Sequence, residues 1–292
     1  MALLPAVSGR KAVRLVPDQP STDDLLWEVS PEGVAWLTLN RPQAGNAITS
    51  GQRERLIALL DEASADQRIR AVVLTGAGQR HFCTGADLSD PKVPATPLRE
   101  GAPERPAGSV ARAIAGGAQR LIAAVLDCEK PVIAAVNGTA AGIGCHLAYA
   151  CDLVLAADSA KFIEVFVRRG LVVDGGGAYL LARLIGPQRA KELVFFGDDL
   201  PAAEAYRMGL VNRVVAAGEL RATAVGWAAR LAAGPTVALG LGKRLINRSM
   251  DGDRSTSLAE EAMVAEINMT TADGHEGVRA FVERRKPVFR GW

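Results

Sequence analysis

The sequence predicts an α/β fold followed by a helical C-terminal region, and three observations carry that prediction. Apolar, β-favouring runs alternate with segments of helical period up to about residue 215. At two places small residues mark where a strand gives way to a turn or helix: "FCTGADL" (82–88) and "AAGIGCHL" (140–147). From Ala178 onward the pattern is nearly all helical, with glycines between the segments. Strand–helix alternation at this density implies parallel strands covered by helices.

The elements follow in order. "GVAWLTLNRP" (Gly33 to Pro42) reads as a strand stopped by proline. "ERLIALLDEASAD" (Glu54 to Asp66) repeats its apolar residues at helical spacing, and "RAVVLTGAG" (Arg70 to Gly78) is a buried strand ending in glycines. After "HFCTGADLSD" a polar, proline-rich segment runs from Pro91 to Ser109. It is long for an interior loop and is expected to be mobile or to cover a site. A helix from about Val110 to Asp127, the strand "KPVIAAVNG" (Lys130 to Gly138), a helix opened by "AGIGCHLAYACD" and the strand "LVLAAD" (Leu153 to Asp158) come next. "AYLLARLIG", "QRAKELVFFG" and "PAAEAYRMGLV" then read as helices. We divide the chain into an N-terminal extension (1–21), an α/β core (22–215) and a helical C-terminal region (216–292).

Composition excludes several classes. Of 292 residues, 49% are hydrophobic and the formal net charge is +2, so nothing argues for a nucleic-acid partner. The four cysteines, Cys83, Cys128, Cys145 and Cys151, form no CxxC pair and read as small buried thiols in a reducing compartment. No His/Cys cluster has ligand spacing, so no metal is expected. The first 20 residues lack the long apolar region of a signal peptide, and no run of about 18 apolar residues suggests a membrane span. A cytoplasmic location is the expectation.

The two glycine turns have two readings. Small residues let backbone approach a ligand, and amides at a helix N-terminus lack an intrahelical acceptor. Two such turns face to face would offer a pair of donors to a carbonyl oxygen gaining negative charge. The other reading is tight packing of turns against neighbouring strands. Neither turn matches a P-loop or a dinucleotide GxGxxG pattern.

"NRPQAGNAI", "FCTGADL", "KPVIAAVNGTAAGIGCHLAYACDLVLAAD", "RRGLVVDGGGAYLLARLIG", "AAEAYRMGLVNRVV" and "EGVRAFVERRKPVF" occur in this order over residues 25 to 290. Together they resemble the crotonase superfamily, the enoyl-CoA hydratase/isomerase family. The resemblance implies a spiral of ββα units, a helical C-terminal trimerisation region, and a homotrimer or dimer of trimers. It implies a coenzyme A thioester as substrate, its enolate held by two backbone N–H groups, and no separate cofactor. Those donors fall at Ala86 and Ile143, beside Gly142. Ala44 and the segment Ala86, Asp87 and Leu88 would line the CoA path. Phe281 and Arg284 match positions that meet the CoA adenine and phosphates of a neighbouring subunit. A cation there suits phosphate, although Arg284 is equally readable as a solvated helix charge.

The same resemblance places acid/base side chains at His146, Phe166 and Asp174. Hydratases carry glutamates at the first two, so the two-carboxylate apparatus is absent here, and Phe166 cannot move a proton. Asp174 stands before three glycines, open to a ligand; in an apolar site its pKa should rise toward that of a useful base. It could instead cap the helix that begins near Gly177. His146 is a direct participant or a residue satisfying a local hydrogen bond. Glu164, placed on a strand with Phe166, is a spare carboxylate or a paired structural one. The leading expectation is double-bond isomerisation with Asp174 as base. The alternatives are hydration by His146 and Asp174 (or Glu164), and an acyl-CoA-binding protein with little catalysis.

Overall fold

The computed structural model describes residues 24–90, 99–101, 103 and 106–292. The expected extension (1–21) and most of the polar segment from Pro91 to Ser109 lie outside them.

Six strands make the main sheet: β1 (Leu25–Val29), β2 (Val34–Leu39), β3 (Ala71–Gly76), β5 (Val132–Val136), β7 (Leu153–Ala157) and β10 (Arg213–Val215). They lie side by side in that order. The β1–β2 pair is antiparallel; from β2 onward every pairing is parallel. A second sheet holds β4 (His81–Cys83), β6 (Thr139–Ala141), β8 (Lys161–Ile163) and β9 (Asp199–Pro201) in order. From β3 to β8 the strands alternate between the first sheet and the second, as the expected spiral requires. Parallel strands need long crossovers, and here helices supply most of them.

The apolar runs became strands because helices cover the sheet. β5 is buried at all five positions and β3 at five of six. Helix α1 (Ser50–Ala65) starts with a reciprocal Thr49–Gln52 cap and buries Leu56, Ile57, Leu59, Leu60 and Ala63. The expected helix from Val110 is α2 (Ser109–Ile114) and α3 (Arg120–Asp127), joined by a π-helical turn at Ala115–Gln119. Its 19 residues are long and apolar enough to cross a membrane by composition, yet Leu121, Ile122 and Val125 are spent in the core. Helix α4 (Ile143–Ala150) is buried at every position.

Past Ala178 the near-continuous helical reading needs correction. Helix α5 (Gly177–Phe196) is bent at Gly186, whose φ of 78° precedes Pro187. Two strands then interrupt the helices: β9 before α6 (Ala202–Met208), and β10 after it. Both are three residues long, too short for alternation to show. The remaining helices are α7 (Leu220–Ala232), α8 (Thr236–Ser249), α9 (Arg254–Met269) and α10 (Ala272–Val282). Ala224, Ala228 and Ala232 recur at four-residue spacing and let α7 lie close on the sheet.

An ion pair ties α8 to the core. Lys243 Nζ lies 3.0 Å from Asp152 Oδ2 and donates to the Val125 carbonyl. The same carboxylate accepts the Val132 N–H at the start of β5. Burial pushes the Asp152 carboxyl up, and Lys243 opposes that push. Lys243→Met should therefore lower stability by about 3 kcal/mol, because it strands a buried charge rather than removing a surface pair. A urea titration measures it.

Candidate active site

The two glycine turns face one another. β4 and β6 are parallel neighbours, with Cys83 opposite Ala140, so the segments leaving them run side by side. Two glycines permit the approach. A Cβ on Gly144 would stand 2.1 Å from the Cys83 carbonyl oxygen, inside any tolerable contact. Gly85 (φ 109°) leaves its Cβ position 3.1 Å from the Ala141 carbonyl oxygen and 3.9 Å from the Ile143 nitrogen. The tight-packing reading of these turns is therefore correct, and it is also what brings the two expected donors together.

Both N–H groups are available. Ala86 forms a parallel bridge with Ile48 through Ile48 N–H to Gly85 O and Asp87 N–H to Ile48 O. In that geometry the Ala86 N–H points away from the bridge. Ile143 is the first residue of α4, after Gly142 (φ 53°), and its N–H has no intrahelical acceptor. The arrangement is a pair of backbone donors beside a helix N-terminus, suited to an oxygen that gains charge.

The loop carrying Ala44 is pinned to the first turn. Thr84 N–H and hydroxyl both donate to the Gly45 carbonyl. Buried Asn46 accepts from Arg41 N–H and donates to the carbonyls of Ala77 and His81. Arg41 Nη1 meets Asp87 Oδ2 at 2.8 Å. Ser89 and Arg41 together hold the Asp87 carboxyl below its ordinary range. Asp87 is thus committed to ordering the turn that presents Ala86. Leu88, next to it, is 66% exposed.

Beneath the second turn lies a buried pair. His146 Nε2 and Glu164 Oε2 are 3.0 Å apart, with the side chains 0% and 3% exposed. The imidazole stacks on Phe166, ring centroids 5.4 Å apart and planes 6° from parallel. The strand expected to carry both Glu164 and Phe166 ends at Ile163, and Phe166 instead opens a 3-10 turn over Val167–Arg169. Glu164 is the paired structural carboxylate of the two readings given above. The Gly142 Cβ position is 3.8 Å from the Phe166 ring, so that ring also flanks the Ile143 donor.

Asp174 sits on the other side of the histidine. It caps nothing: α5 begins after Gly176 with no side-chain cap, and only the Asp174 carbonyl is used, by Gly177 N–H. The carboxyl is half-buried; burial pushes it up, and positive charge on His146 would pull it part of the way back. The glycines after it make room. A Cβ at Gly177 would lie 2.2 Å from His146 Nε2, and one at Gly175 would lie 2.5 Å from Ile143 Cδ1 and 3.2 Å from the Ala118 methyl. Ala118 comes from the π-helical turn, a feature common at functional sites.

The structure thus gathers Ala44, Ala86, Asp87, Gly142, Ile143, His146, Phe166 and Asp174, with Glu164, around two adjoining turns. Phe281, 85% exposed, and Arg284 stand apart at the end of α10, where Arg284 adopts φ 55° and donates its N–H to the Phe281 carbonyl. The Arg41–Asp87 link, 46 residues apart in sequence, had no sequence signal. Among the described residues no group of three His, Cys, Asp or Glu side chains could hold a metal ion.

Fold and site together define a scaffold whose fixed part is a pair of backbone donors suited to an oxygen that gains charge. The family model for enoyl-CoA hydratase/isomerase matches residues 30–291. The 1,2-epoxyphenylacetyl-CoA isomerase of Escherichia coli is 39% identical over 260 residues, covering 89% of this chain and 96% of that protein. The short-chain-enoyl-CoA hydratase of Clostridium acetobutylicum is 39% identical over 253 residues, 87% and 92% of the two chains. The crystal structure of a putative enoyl-CoA hydratase from Streptomyces coelicolor superposes with a TM-score of 0.83 at 32% identity, over the whole of both chains. The chain belongs to the enoyl-CoA hydratase/isomerase family, and it is a crotonase-type enzyme.

Two outcomes follow. Gly177→Ala should displace the imidazole, break its contact with Glu164 and cost about 1–3 kcal/mol in a thermal melt, as overpacking does. Asp174 has a folded pKa raised above its unfolded value, so its contribution to stability is fully present below the unfolded pKa and is lost as pH rises through the folded one. Asp174→Asn should therefore melt higher than wild type at pH 7, with the difference vanishing below about pH 4.

Proposed function

We propose that the chain catalyses a double-bond shift in an enoyl-CoA thioester. The thioester carbonyl accepts hydrogen bonds from the Ala86 and Ile143 N–H groups. Asp174 removes a proton from the acyl chain, the electron pair passes into the enolate so held, and the proton is returned at another carbon. The observation that carries this reading is the half-buried Asp174, whose carboxyl has no hydrogen-bonding partner among the described residues, beside a His146 ring stacked on Phe166, which can neither hold nor activate water. His146 supports Asp174 rather than meeting substrate, since it is fully buried.

The rest of the reading follows from the resemblance. Ala44, Asp87, Leu88 and Gly142 border the path of the thioester and its pantetheine arm, and Phe166 walls the acyl side. Phe281 and Arg284 meet the CoA adenine and phosphates across a subunit boundary in a homotrimer or dimer of trimers. No cofactor is needed beyond the coenzyme A of the substrate, and we place the enzyme in the cytoplasm, acting without nucleic acid or membrane.

Relatives are named for both isomerisation and hydration, so the reaction itself must be measured. Enoyl-, dienoyl- and aromatic acyl-CoAs are incubated with the enzyme in D₂O and H₂¹⁸O and the products weighed. Deuterium without ¹⁸O supports the shift; ¹⁸O in a hydroxyacyl product means hydration and refutes it. Asp174→Asn should lower kcat by about 10²–10⁴-fold, the usual share of general acid–base catalysis, while CoA esters still raise the melting temperature. Wild-type turnover in that variant would remove Asp174 from the mechanism.

A further inference from the structure

Two buried polar atoms beside the site lack partners: His146 Nδ1 and Glu164 Oε1. An unpaired buried group costs about 1–3 kcal/mol, so a fold keeps one for a reason. The His146 ring is held on three sides. Nε2 meets Glu164, one face lies on Phe166, and Gly177 presses where a Cβ would collide with Nε2 and Cε1. That leaves Nδ1, and it looks toward the segment bearing Asp174: a Cβ on Gly175 would be 3.7 Å from it. Asp174 is also the carboxyl that responds to charge on this ring.

The chemistry of Glu164 decides which nitrogen carries hydrogen. When ionised, Glu164 can only accept, and Nε2 is then the donor. The other titratable groups near Glu164 are Cys145 and Tyr149, and burial holds both in their neutral forms. A second hydrogen on Nδ1 would be a buried N–H with no acceptor. The tautomer with hydrogen on Nε2 alone leaves a bare lone pair at Nδ1.

We propose that Glu164 is a positioning residue that locks His146 in the Nε2–H tautomer, so that Nδ1 accepts a hydrogen bond from the Asp174 carboxyl once that carboxyl has taken the substrate proton. This rests on the reading of Asp174 as the base. During the step the substrate C–H bond breaks, an O–H bond forms on Asp174, and the electron pair enters the enolate. Nδ1 gains only a hydrogen bond, which it gives back when the proton returns to carbon. A hydrogen bond made solely to the protonated carboxyl strengthens Asp174 as a base without adding charge to a dry site. Gly175 and Gly177 are the clearance this arrangement needs.

The chain has three histidines, His81, His146 and His275, few enough to assign by substitution in ¹⁵N-histidine-labelled protein. Magic-angle-spinning spectra at neutral pH should show His146 with a protonated Nε2 and a bare Nδ1. Two protonated nitrogens, or the opposite tautomer, overturn the proposal. Because that spectrum comes from the wild-type enzyme, it decides even where a variant fails to fold. Glu164→Gln keeps the side-chain shape and a hydrogen bond, but an amide can donate as well as accept. It should mix the two tautomers and lower kcat about tenfold or more while KM stays within about twofold, the split expected of an interaction made in the transition state. Unchanged kcat in Glu164→Gln alongside an inactive Asp174→Asn defeats this inference alone. Full turnover in Asp174→Asn defeats the base assignment, whatever the tautomer.

Discussion

The contact between the Cys83 carbonyl and Gly144 is the constraint on which the site depends. With no side chain at Gly144, the strand β4 can run against the start of α4 at backbone distance. Only then do the Ala86 and Ile143 amides stand on adjoining turns. The same register puts His146 one turn into α4, under the glycines that follow Asp174 and against Glu164. The two amides, the imidazole and the segment bearing Asp174 are therefore brought together by one close approach between two chain segments some 60 residues apart.

A division of labour follows from what each part is made of. Backbone donors do not depend on the identity of the residue that carries them, which is why an isoleucine at 143 is no obstacle. The side chains around the acyl group are free to differ, and here they differ from a two-glutamate site in a coordinated way. Phe166 stacks on the His146 imidazole, while Glu164, two residues earlier, meets its Nε2.

The parts of this fold that could be read in the sequence are those whose pattern is long or chemically unambiguous. β2, β3, β5 and β7 stand out as apolar runs because helices and the neighbouring sheet bury them. The short strands β4, β6, β8 and β9 do not, since three residues cannot display a period. For the same reason alternation continued past β8 would put Glu164 beside Phe166 on one strand face, whereas the strand ends at Ile163. Both do reach His146, one through a hydrogen bond and the other through its ring. Asp174 could be singled out by its three glycines, but whether it capped α5 was a matter of backbone geometry, settled by Gly176 taking that place. The tie between Arg41 and Asp87 is purely tertiary and leaves no local trace.

All four thiols are buried, and three of them, Cys83, Cys145 and Cys151, have their ionisation pushed up by that burial. Cys145, next to His146, also bridges the second sheet: its sulfur donates to the Ala140 carbonyl and accepts the Ile163 N–H. Since only the thiolate reacts readily, an alkylating reagent meets an inert native state. Modification of Cys145 must wait until β6 and β8 part. Its rate is thus a built-in clock for the opening of the very layer that carries the imidazole, readable by mass alone and without any substrate.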